Sequence, residues 1–545
     1  MRGAMLAVVA LFAVGIVLPL GLLLAKALQD NDGAFVGLAN FARYFRTPAL
    51  ADSIGNSLFV TAIATVITVL LAFVFAYALT RSRMPLRGMF RGIALVPILC
   101  PSLLPGIAFV YLFGNQGFLK ELLGEGVIYG PVGIVMGEVF WVFPHALLIL
   151  TTALATADAR LYEAALSLGA GRLRTFVTVT LAGCRYGLIS TVFVVFTMVI
   201  TDFGVPKVIG GHYNVLATDI YKQVIGQQNF SMGAVVGLLL LVPAVVAFFA
   251  DRYAQRRQVA QLSARAVPLV PKRNPPLDWA LFGFCCVISV LILGVLGTAA
   301  YASLVKMWPY DLSLSFKNYR FDLMDGGGWA SYWNSLEMAA WTAVAGTAIV
   351  FLGAYLAEKT RGFAAGRIAI QFLAMMPMAV PGLVLGLAYI FFFNHPDNPL
   401  GFLYRSIAIL VICTIVHFYT VAHLTAVTAL KQIDPEFESV SASLKVPVWR
   451  TFRRVTVPVC LPAIFDISMY LFLNAMTTVS AVVFLYGPHT MLASVAVLNM
   501  DDAGDIAPAA AMAMMIVLTS AAVRIVHAVV TRGILGRAQA WRSRG

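Results

Sequence analysis

Long apolar runs alternate with short polar segments along the whole chain. Each run is about 20 residues long, the length that a helix needs to cross a hydrocarbon core about 30 Å thick. Because lipid cannot satisfy open backbone groups, each run is predicted to be a helix. The pattern predicts twelve spans, at residues 4–26, 57–79, 92–113, 131–155, 186–205, 231–250, 279–302, 335–357, 368–393, 402–428, 461–485 and 506–526.

A polar stretch between the fourth and fifth spans recurs in the second half of the chain. The segments 158–182 and 434–458 align without a gap through a shared Arg-Thr-Phe. A shorter Asn-Ser-Leu motif at 56–58 recurs at 334–336. We therefore predict a tandem of two halves with six spans each. An even number of spans inserts both halves the same way up, so their symmetry axis lies along the membrane normal.

Prolines interrupt the third span of each half. Pro101 and Pro105 in the first half match Pro377 and Pro381 in the second at the same interval as the two polar stretches. Proline removes a backbone donor and clashes with the preceding helical turn. Both spans are therefore predicted to be kinked or broken, at places where neighbouring protein covers the open backbone.

Basic residues concentrate in short segments beside the spans, which predicts the cytoplasmic side of the membrane. On this rule both termini are cytoplasmic. The segment after the second span is predicted to be internal because it holds Arg81, Arg83, Arg87 and Arg91. The predicted organisation is a first half at 1–250 with its core at about 53–250, a basic, proline-rich cytoplasmic linker at 251–278, a second half at 279–526 with its core at about 331–524, and a cytoplasmic tail at 527–545.

Composition places the chain among integral membrane proteins. Of its 545 residues 60% are hydrophobic and 12% charged, with a mean hydropathy of +0.87, which leaves too little polar surface for a soluble globule. The net charge of +13 could suit nucleic acid, but its position beside the spans makes it a topology signal. The first apolar run exceeds the core of a signal peptide, and we interpret it as a retained span, although Ala25-Lys26-Ala27 leaves cleavage as an alternative.

The six cysteines show neither CxxC pairs nor metal-ligand spacing with histidine, so they are interpreted as buried thiols and no metal site is predicted. The chain also contains no GxxxxGK[ST] phosphate loop. If ATP drives this protein, a separate subunit must hydrolyse it.

The first polar copy resembles a known family motif. Glu163-Ala164-Ala165 is followed by Gly169 and then by Val179-Thr180-Leu181, which resembles the EAA loop of ABC importer permeases. The second copy has Ser439-Val440-Ser441 and Lys445 at the matching positions. The resemblance implies an all-α membrane protein of the type I ABC importer fold, with two parallel six-helix repeats. In that family the loop is a short coupling helix that docks on the ATPase. The residues predicted to make this contact are Glu163, Ala164, Ala165, Gly169, Arg172, Arg174, Glu438, Ser439, Ser441, Lys445 and Arg450.

The resemblance also implies partners and a mechanism. The chain is expected to be the non-enzymatic permease of an importer in the bacterial inner membrane, surrounded by lipid. A periplasmic binding protein would deliver a small solute, and an ATPase dimer that uses ATP and Mg²⁺ would drive alternating access. A carrier of the major facilitator type also duplicates six spans, but the expected Gly and Asp pattern is missing from the segment between the second and third spans. A non-transporting scaffold or receptor would not need two such coupling stretches.

Polar residues inside spans are costly in lipid and usually face protein or water. On that ground the predicted pathway residues are Glu138, Asp202, Lys207, His417, Asn474, Thr477, Thr478 and Ser480. An Asp202–Lys207 ion pair that holds the loop is the structural alternative. For His145, His423 and Asp466 we favour hydrogen bonds between helices.

The cargo is predicted from resemblance alone. The strings at 202–211, 221–230 and 496–507 look like those of permeases for 2-aminoethylphosphonate, a branch beside the ferric-iron permeases. Phosphonate import is therefore the first prediction, and ferric iron or another small anion is the alternative.

Overall fold

The computed structural model describes residues 2–30, 32–124, 126–259, 267, 269–360, 362–434 and 436–538. Helices account for most of this part of the chain. In the first half they are α1 (Arg2–Phe12), α2 (Leu18–Ala27), α3 (Ala39–Arg46), α4 (Pro48–Arg81), α5 (Arg87–Ala94), α6 (Leu103–Phe113), α7 (Lys120–Leu123), α8 (Pro131–Ala155), α9 (Ala159–Ser167), α10 (Arg172–Thr175), α11 (Ala182–Thr201), α12 (Gly204–Ile209), α13 (Leu216–Tyr221) and α14 (Phe230–Val259).

The second half repeats this order and adds a short antiparallel hairpin outside the spans. Its helices are α15 (Pro275–Leu304), α16 (Gly328–Glu358), α17 (Ala364–Leu373), α18 (Gly382–Phe393), α19 (Ile407–Lys431), α20 (Glu436–Ser443), α21 (Val448–Thr451), α22 (Val457–Val459), α23 (Leu461–Thr477), α24 (Ala493–Ala503) and α25 (Ile506–Ala538), and its strands are β1 (Val305–Met307) and β2 (Asp311–Leu314).

The predicted all-α fold is confirmed, and the helix order of the first half recurs in the second. The described residues contain nine helices long and apolar enough to cross a membrane, and twelve spans if three bent helix pairs each count as one. The predicted ends differ in the fifth and eleventh spans. Helix α11 ends at Thr201 and α23 at Thr477; the apolar residues that follow form the short helix α12 in the first half and turns in the second. Apolar composition alone therefore placed the end of both spans too late in the sequence.

Both third spans are broken, at positions that correct the predicted alignment. The chain bends by 104° between Leu99 and Leu103 and by 112° between Ala379 and Gly382. Short 3-10 segments, Val96–Leu99 and Met376–Ala379, precede the two breaks.

The structure thus pairs Pro97 with Pro377 and Pro101 with Pro381, a longer interval than the one that separates the two coupling stretches. Pro105 lies in the first turn of α6, where a proline needs no helical partner for its nitrogen. Pro105 therefore does not break the span.

Packing divides the described chain into two compact units. The first unit comprises residues 30–319 and 504–514, and the second comprises 2–29, 320–503 and 515–538. In the first unit α4 packs on α8 and α11, and α11 packs on α14; in the second, α16 packs on α19 and α23. The buried faces of α4 and α16 carry serine, threonine, alanine and glycine, small residues that let membrane helices approach closely.

The first helix of each chain half packs in the unit built mainly from the other half. Helix α2 packs on α18, and α15 packs on α4, α5 and α6. The Tyr389 hydroxyl donates to the Gly15 carbonyl at 2.8 Å, within the π-helical segment Ala13–Val17. The units therefore differ from the sequence halves 1–250 and 279–526, because α1 and α2 belong to the second unit and α15 belongs to the first. The last helix continues to Ala538, beyond the predicted boundary at 526.

The repeated Asn-Ser-Leu motif ties a span to a short helix. Ser57 Oγ accepts the Leu216 N–H at 2.8 Å, and Ser335 Oγ accepts the Ala493 N–H at 2.7 Å. Leu216 and Ala493 are the first residues of α13 and α24, so each serine satisfies a donor that the helix itself leaves open.

Candidate functional site

Two equivalent capped helices form the predicted coupling stretches. Asp158 Oδ1 accepts the Arg160 N–H at 3.1 Å and begins α9; Asp434 Oδ1 accepts the Glu436 N–H at 2.9 Å and begins α20. Aspartate before a helix satisfies open N–H groups in this way. The two aspartates that begin the sequence repeat are therefore its helix caps.

Each short helix ends in a left-handed residue. Gly169 has φ +70° and Lys445 has φ +50°. The next residues, Ala170 and Val446, donate their N–H groups to carbonyls five positions back, each at 2.9 Å, as in a Schellman cap. A Cβ on Gly169 would meet nothing within 4 Å. The glycine therefore serves the backbone conformation within this chain, and Lys445 adopts the same conformation at a steric cost.

A basic side chain at the end of the second span of each half contacts each of these short helices. The Arg81 guanidinium lies 5.7 Å from the centre of the Tyr162 ring and donates to the Leu154 carbonyl at 2.6 Å. The Tyr162 hydroxyl also shares a 2.9 Å hydrogen bond with Thr180. Arg81 was predicted only as a topology charge, so its contact with α9 is a feature that sequence reasoning missed.

The second half uses an ion pair at the same place. Lys359 Nζ lies 3.0 Å from Glu438 Oε1 and 3.1 Å from the Ile433 carbonyl oxygen. The interval from Arg81 to Lys359 is that of the Asn-Ser-Leu motif, and the interval from Tyr162 to Glu438 is that of the coupling stretches. Matching intervals were thus the available signal for both contacts.

Several apolar side chains of these stretches are uncovered. Leu168 is 85% exposed and its equivalent, Leu444, 70%. Helix α9 contains no buried residue. Contiguous exposed apolar side chains are typical of a surface that binds a partner. Other exposed apolar residues of the two stretches are Leu161, Leu166, Leu173, Val177, Phe437, Val440, Val448 and Trp449.

The remaining predicted coupling residues lie in or beside these helices. Most are exposed, while Ala165, Glu438 and Ser441 are half-buried. Ser441 and Thr451 share a hydrogen bond between α20 and α21. Both stretches continue through a π-helical segment, Phe176–Leu181 and Phe452–Thr456, a rare backbone form that often marks functional sites. The exposed coupling residues are Glu163, Ala164, Gly169, Arg172, Arg174, Ser439, Lys445 and Arg450.

Of the predicted pathway residues, the structure brings Glu138 and Asp202 together. Glu138 lies on α8 with no solvent exposure, and Asp202 follows α11 with 8% exposure. Asp202 Oδ2 accepts the Val205 N–H at 2.9 Å, and the Ser102 hydroxyl interacts with the same carboxyl. Sequence reasoning missed Ser102, which lies at the break before α6.

Lys207 does not form the ion pair with Asp202 that was the structural alternative. Its Nζ lies 5.2 Å from the centre of the Tyr221 ring, a cation–π arrangement. Asp202 and Lys207 therefore have different contacts.

The polar residues predicted in the second half lie along α23 and the turn after it. Asn474 donates to the Tyr470 carbonyl at 2.8 Å, and Thr477 donates to the Leu473 carbonyl at 3.0 Å. The Thr478 carbonyl accepts from Ser494 at 2.6 Å, and a Cβ on Gly382 would lie 2.5 Å from Ser480 Oγ. The three hydrogen bonds all go to backbone carbonyl groups. The side chains of Asn474, Thr477 and Thr478 therefore do not form a polar cluster with one another.

Histidines and Asp466 have varied surroundings. His527 Nε2 lies 3.1 Å from Asp466 Oδ1, so Asp466 does pair between helices. The Nδ1 atoms of His145, His417 and His423 have no hydrogen-bond partner among the described residues, and the His417 ring lies 4.6 Å from the Phe418 ring. Across the part of the chain that the structure describes, no group of three or more His, Cys, Asp or Glu side chains is placed to hold a metal ion.

A third acidic residue of the first unit is buried outside the spans. Asp219 on α13 is 2% exposed and accepts a hydrogen bond from Ser53. Burial raises the pKa of the Asp219 carboxyl from 3.8 to about 6, against the lowering effects of Ser53 and Lys222. The carboxyl is therefore partly protonated near neutral pH.

The first unit also contains a cavity with a volume of about 490 Å³. Aromatic, amide and acidic side chains line it, and they include Tyr111, Asn115, Tyr129, Trp308 and Asp505. The predicted pathway residues do not line this cavity.

Comparisons with known proteins agree with the repeat. The family model described as the binding-protein-dependent transport system inner membrane component matches residues 69–259 and 349–536. A protein of Haemophilus influenzae named as a ferric transport system permease is 28% identical over 453 residues, which cover 80% of this chain and 70% of the relative. The ferric transport system permease of Actinobacillus pleuropneumoniae is 27% identical over 539 residues, 96% of this chain and 77% of the relative.

Shorter relatives match as well. The spermidine/putrescine transport system permease of Escherichia coli is 27% identical over 236 residues, which cover 39% of this chain and 86% of the relative. Members of this family are permeases that bind no cofactor themselves, and their transport systems also include an ATPase and a binding protein. Because the family model matches both halves in turn, the chain belongs to the inner membrane components of binding-protein-dependent transport systems and is a multi-pass, two-domain ABC importer permease.

Proposed function

We propose that this permease imports ferric iron, that α9 and α20 dock on the two subunits of its ATPase, and that both termini face the cytoplasm. The duplicated coupling helices are the observation that carries the docking proposal. Each helix has an aspartate cap, a left-handed end, a contact with a basic residue from the end of the second span of its half, and an uncovered apolar side chain at the same position.

Docking at these helices would convert ATP binding into movement of the spans. The ATPase can shift the permease between two conformations only if its states bind those conformations unequally. Arg81 and Lys359 connect each coupling helix to the end of a long span, so a displaced helix would pull on α4 or α16. Such movement of the spans would open the transport pathway alternately to the two sides of the membrane.

The names of the two long relatives support ferric iron as cargo better than the 2-aminoethylphosphonate first predicted. A polyamine permease in the same family suggests that the permease scaffold accepts different cargo classes. Selection by the binding protein would explain why the described residues need no dedicated metal site. A hydrated or chelated ion would pass along a polar route without direct ligation.

The docking proposal is tested with charge at the exposed leucines. Leu168→Glu and Leu444→Glu each place a carboxylate on a side chain that packs little against its own chain. We expect each variant to insert normally and to lose most of the ATPase stimulation by the loaded binding protein. Leu323→Glu is the matched control, because Leu323 is 74% exposed and lies outside the coupling stretches. Full stimulation in both coupling variants would refute docking at these helices.

The cargo proposal is tested by reconstituting the permease with its ATPase and binding protein in liposomes. Uptake of radioactive ferric iron that requires ATP and the binding protein is expected. Uptake of 2-aminoethylphosphonate without uptake of iron would overturn the iron proposal and restore the first prediction.

The orientation is tested by labelling single introduced cysteines. Leu168→Cys and Leu444→Cys should react with an impermeant maleimide only after the inner face is exposed. Labelling from the periplasmic side would contradict the proposed topology.

A further inference from the structure

The contact between Glu138 and Asp202 places two acidic groups against each other inside the protein. Glu138 is fully buried and Asp202 nearly so. Neither oxygen of Glu138 has a hydrogen-bond partner of standard geometry, although the Asp202 carboxyl lies against it. Two carboxyls are therefore in contact, and no other side chain among the described residues donates a hydrogen bond to Glu138.

Close packing separates this pair from water. A Cβ on Gly137 would overlap Val205, and a Cβ on Gly204 would overlap Ser102 Oγ. These glycines let α12 lie directly on α8 and on the break before α6. Water therefore has little room to solvate two negative charges at this contact.

No basic side chain compensates for the charges within the described residues. Neither carboxyl has a Lys, Arg or His partner within 4.0 Å. Asp202 is the charged group that acts on Glu138. Ionisable groups on the surrounding helices have contacts elsewhere: Arg81 with Leu154, Arg185 with Tyr186, Lys207 with Tyr221, Asp219 with Ser53, and the His145 ring with Trp141.

Two adjacent carboxylates without a counter-ion repel each other strongly in a low-dielectric interior. One bound proton removes the repulsion and supplies the missing donor. The protonated carboxyl then donates an O–H hydrogen bond to the other, which keeps a single negative charge. The Val205 N–H and the Ser102 hydroxyl stabilise that charge on Asp202.

We propose that Glu138 and Asp202 form a proton-binding site in which the two carboxyls share one proton, and that this proton holds α12 against α8. The proton's presence keeps the contact closed, and its loss separates the carboxyls and loosens α12 from the broken span. The site belongs to the first unit alone, because Thr414 and Thr478 occupy the equivalent positions in the second half of the chain. This inference does not depend on the cargo or on ATPase docking.

Infrared spectroscopy of the full-length permease in lipid nanodiscs tests the proposal. The carboxylic acid C=O band should persist at about pH 8, above the ordinary titration range of Asp and Glu and above the pKa of about 6 of Asp219, and should shift in D₂O. Glu138→Gln should remove this band, because the remaining Asp202 then ionises with its Ser102 and Val205 partners. Glu337→Gln, which neutralises an exposed carboxyl, should leave the band unchanged.

A spectrum without a carboxylic acid band, or one unchanged by Glu138→Gln, would overturn the proposal. A band that appears only after chelation would assign the site to a metal cation and would overturn it equally. If Glu138→Gln fails to fold, Glu138→Thr combined with Asp202→Thr supplies the second test. That double variant carries the residues of the second half and should fold without the band.

Discussion

The two halves of the chain repeat the same helices but differ in the charges that they use. The first half buries Glu138, Asp202 and Asp219, where the second has Thr414, Thr478 and Ala496. The equivalent helices still pack alike, through small residues on α4 and α16. The repeated fold therefore depends on shape and backbone capping, and its acidic residues are additions to one half.

The coupling helices differ in the same way. Arg81 meets the Tyr162 ring in the first half, and Lys359 meets the Glu438 carboxylate in the second. Cation–π contacts and part-buried ion pairs both attach a basic side chain, but only the ion pair depends on opposite charges. The position of the contact is kept while its chemistry differs.

Charge reversal in the second half should have the largest effect. Glu438→Lys places a second positive charge beside Lys359, whose side chain is 9% exposed. We expect a loss of about 2–4 kcal/mol in the attachment of α20 and a strong fall in ATPase stimulation. Combining Glu438→Lys with Lys359→Glu should restore stimulation. In the first half, Tyr162→Phe should change little because the aromatic ring remains. Normal activity of Glu438→Lys alone would contradict this account.

Next in size is the pH dependence conferred by Asp219. Its pKa in the folded protein is about 6, above the ordinary 3.8. A carboxyl with a raised pKa contributes stability that is present below pH 3.8 and is lost as the pH rises through about 6. The free energy of unfolding should therefore rise by on the order of 2 kcal/mol as the pH falls from about 8 to about 5. Thermal unfolding measures this rise as a higher midpoint temperature.

Asp219→Asn should remove this pH dependence. Ala496→Asp should create a similar dependence in the second half, because Ala496 occupies the equivalent position on α24. Identical pH profiles for wild type and Asp219→Asn would show that another group controls the response.

A smaller difference is expected at the ends of the coupling helices. Lys445→Gly should stabilise the second stretch by about 1 kcal/mol, because glycine adopts the left-handed conformation without a Cβ clash. Gly169→Ala should destabilise the first stretch by a similar amount. Hydrogen exchange at the Val446 and Ala170 amides measures both effects. The change in local stability must be a gain for Lys445→Gly and a loss for Gly169→Ala; the same direction at both ends would contradict the prediction.

The smallest difference between halves is expected at the Asn-Ser-Leu motif. Ser57→Ala and Ser335→Ala each remove one acceptor for a helix N–H, which costs about 1 kcal/mol. Thermal unfolding should show nearly equal losses. A clear inequality would mean that Asp219 and its hydrogen bond with Ser53, a bond that the described residues form only in the first half, strengthen that junction.

Some structural details were visible only in part from sequence. The interval between Arg81 and Lys359 equals that of the Asn-Ser-Leu motif, so these two basic residues were detectable as a repeat. The contacts of Arg81 and Lys359 were not detectable in this way, because one is with the aromatic ring of Tyr162 and the other is with the carboxylate of Glu438. Pro105 was predicted to break its span, and the structure places it in a helix start, since spacing alone did not reveal the correct register of the third spans.

By itself the sequence determined the apolar spans, the duplication and the positions of the two repeated polar stretches. Run length, charge bias and motif spacing act locally along the chain, so they can be recognised without a structure. Only the tertiary structure decided that the first helix of each half packs with the other half, that Lys207 contacts Tyr221, and that Glu138 meets Asp202. These contacts join residues far apart in sequence, and packing between helices, rather than local pattern, brings them together.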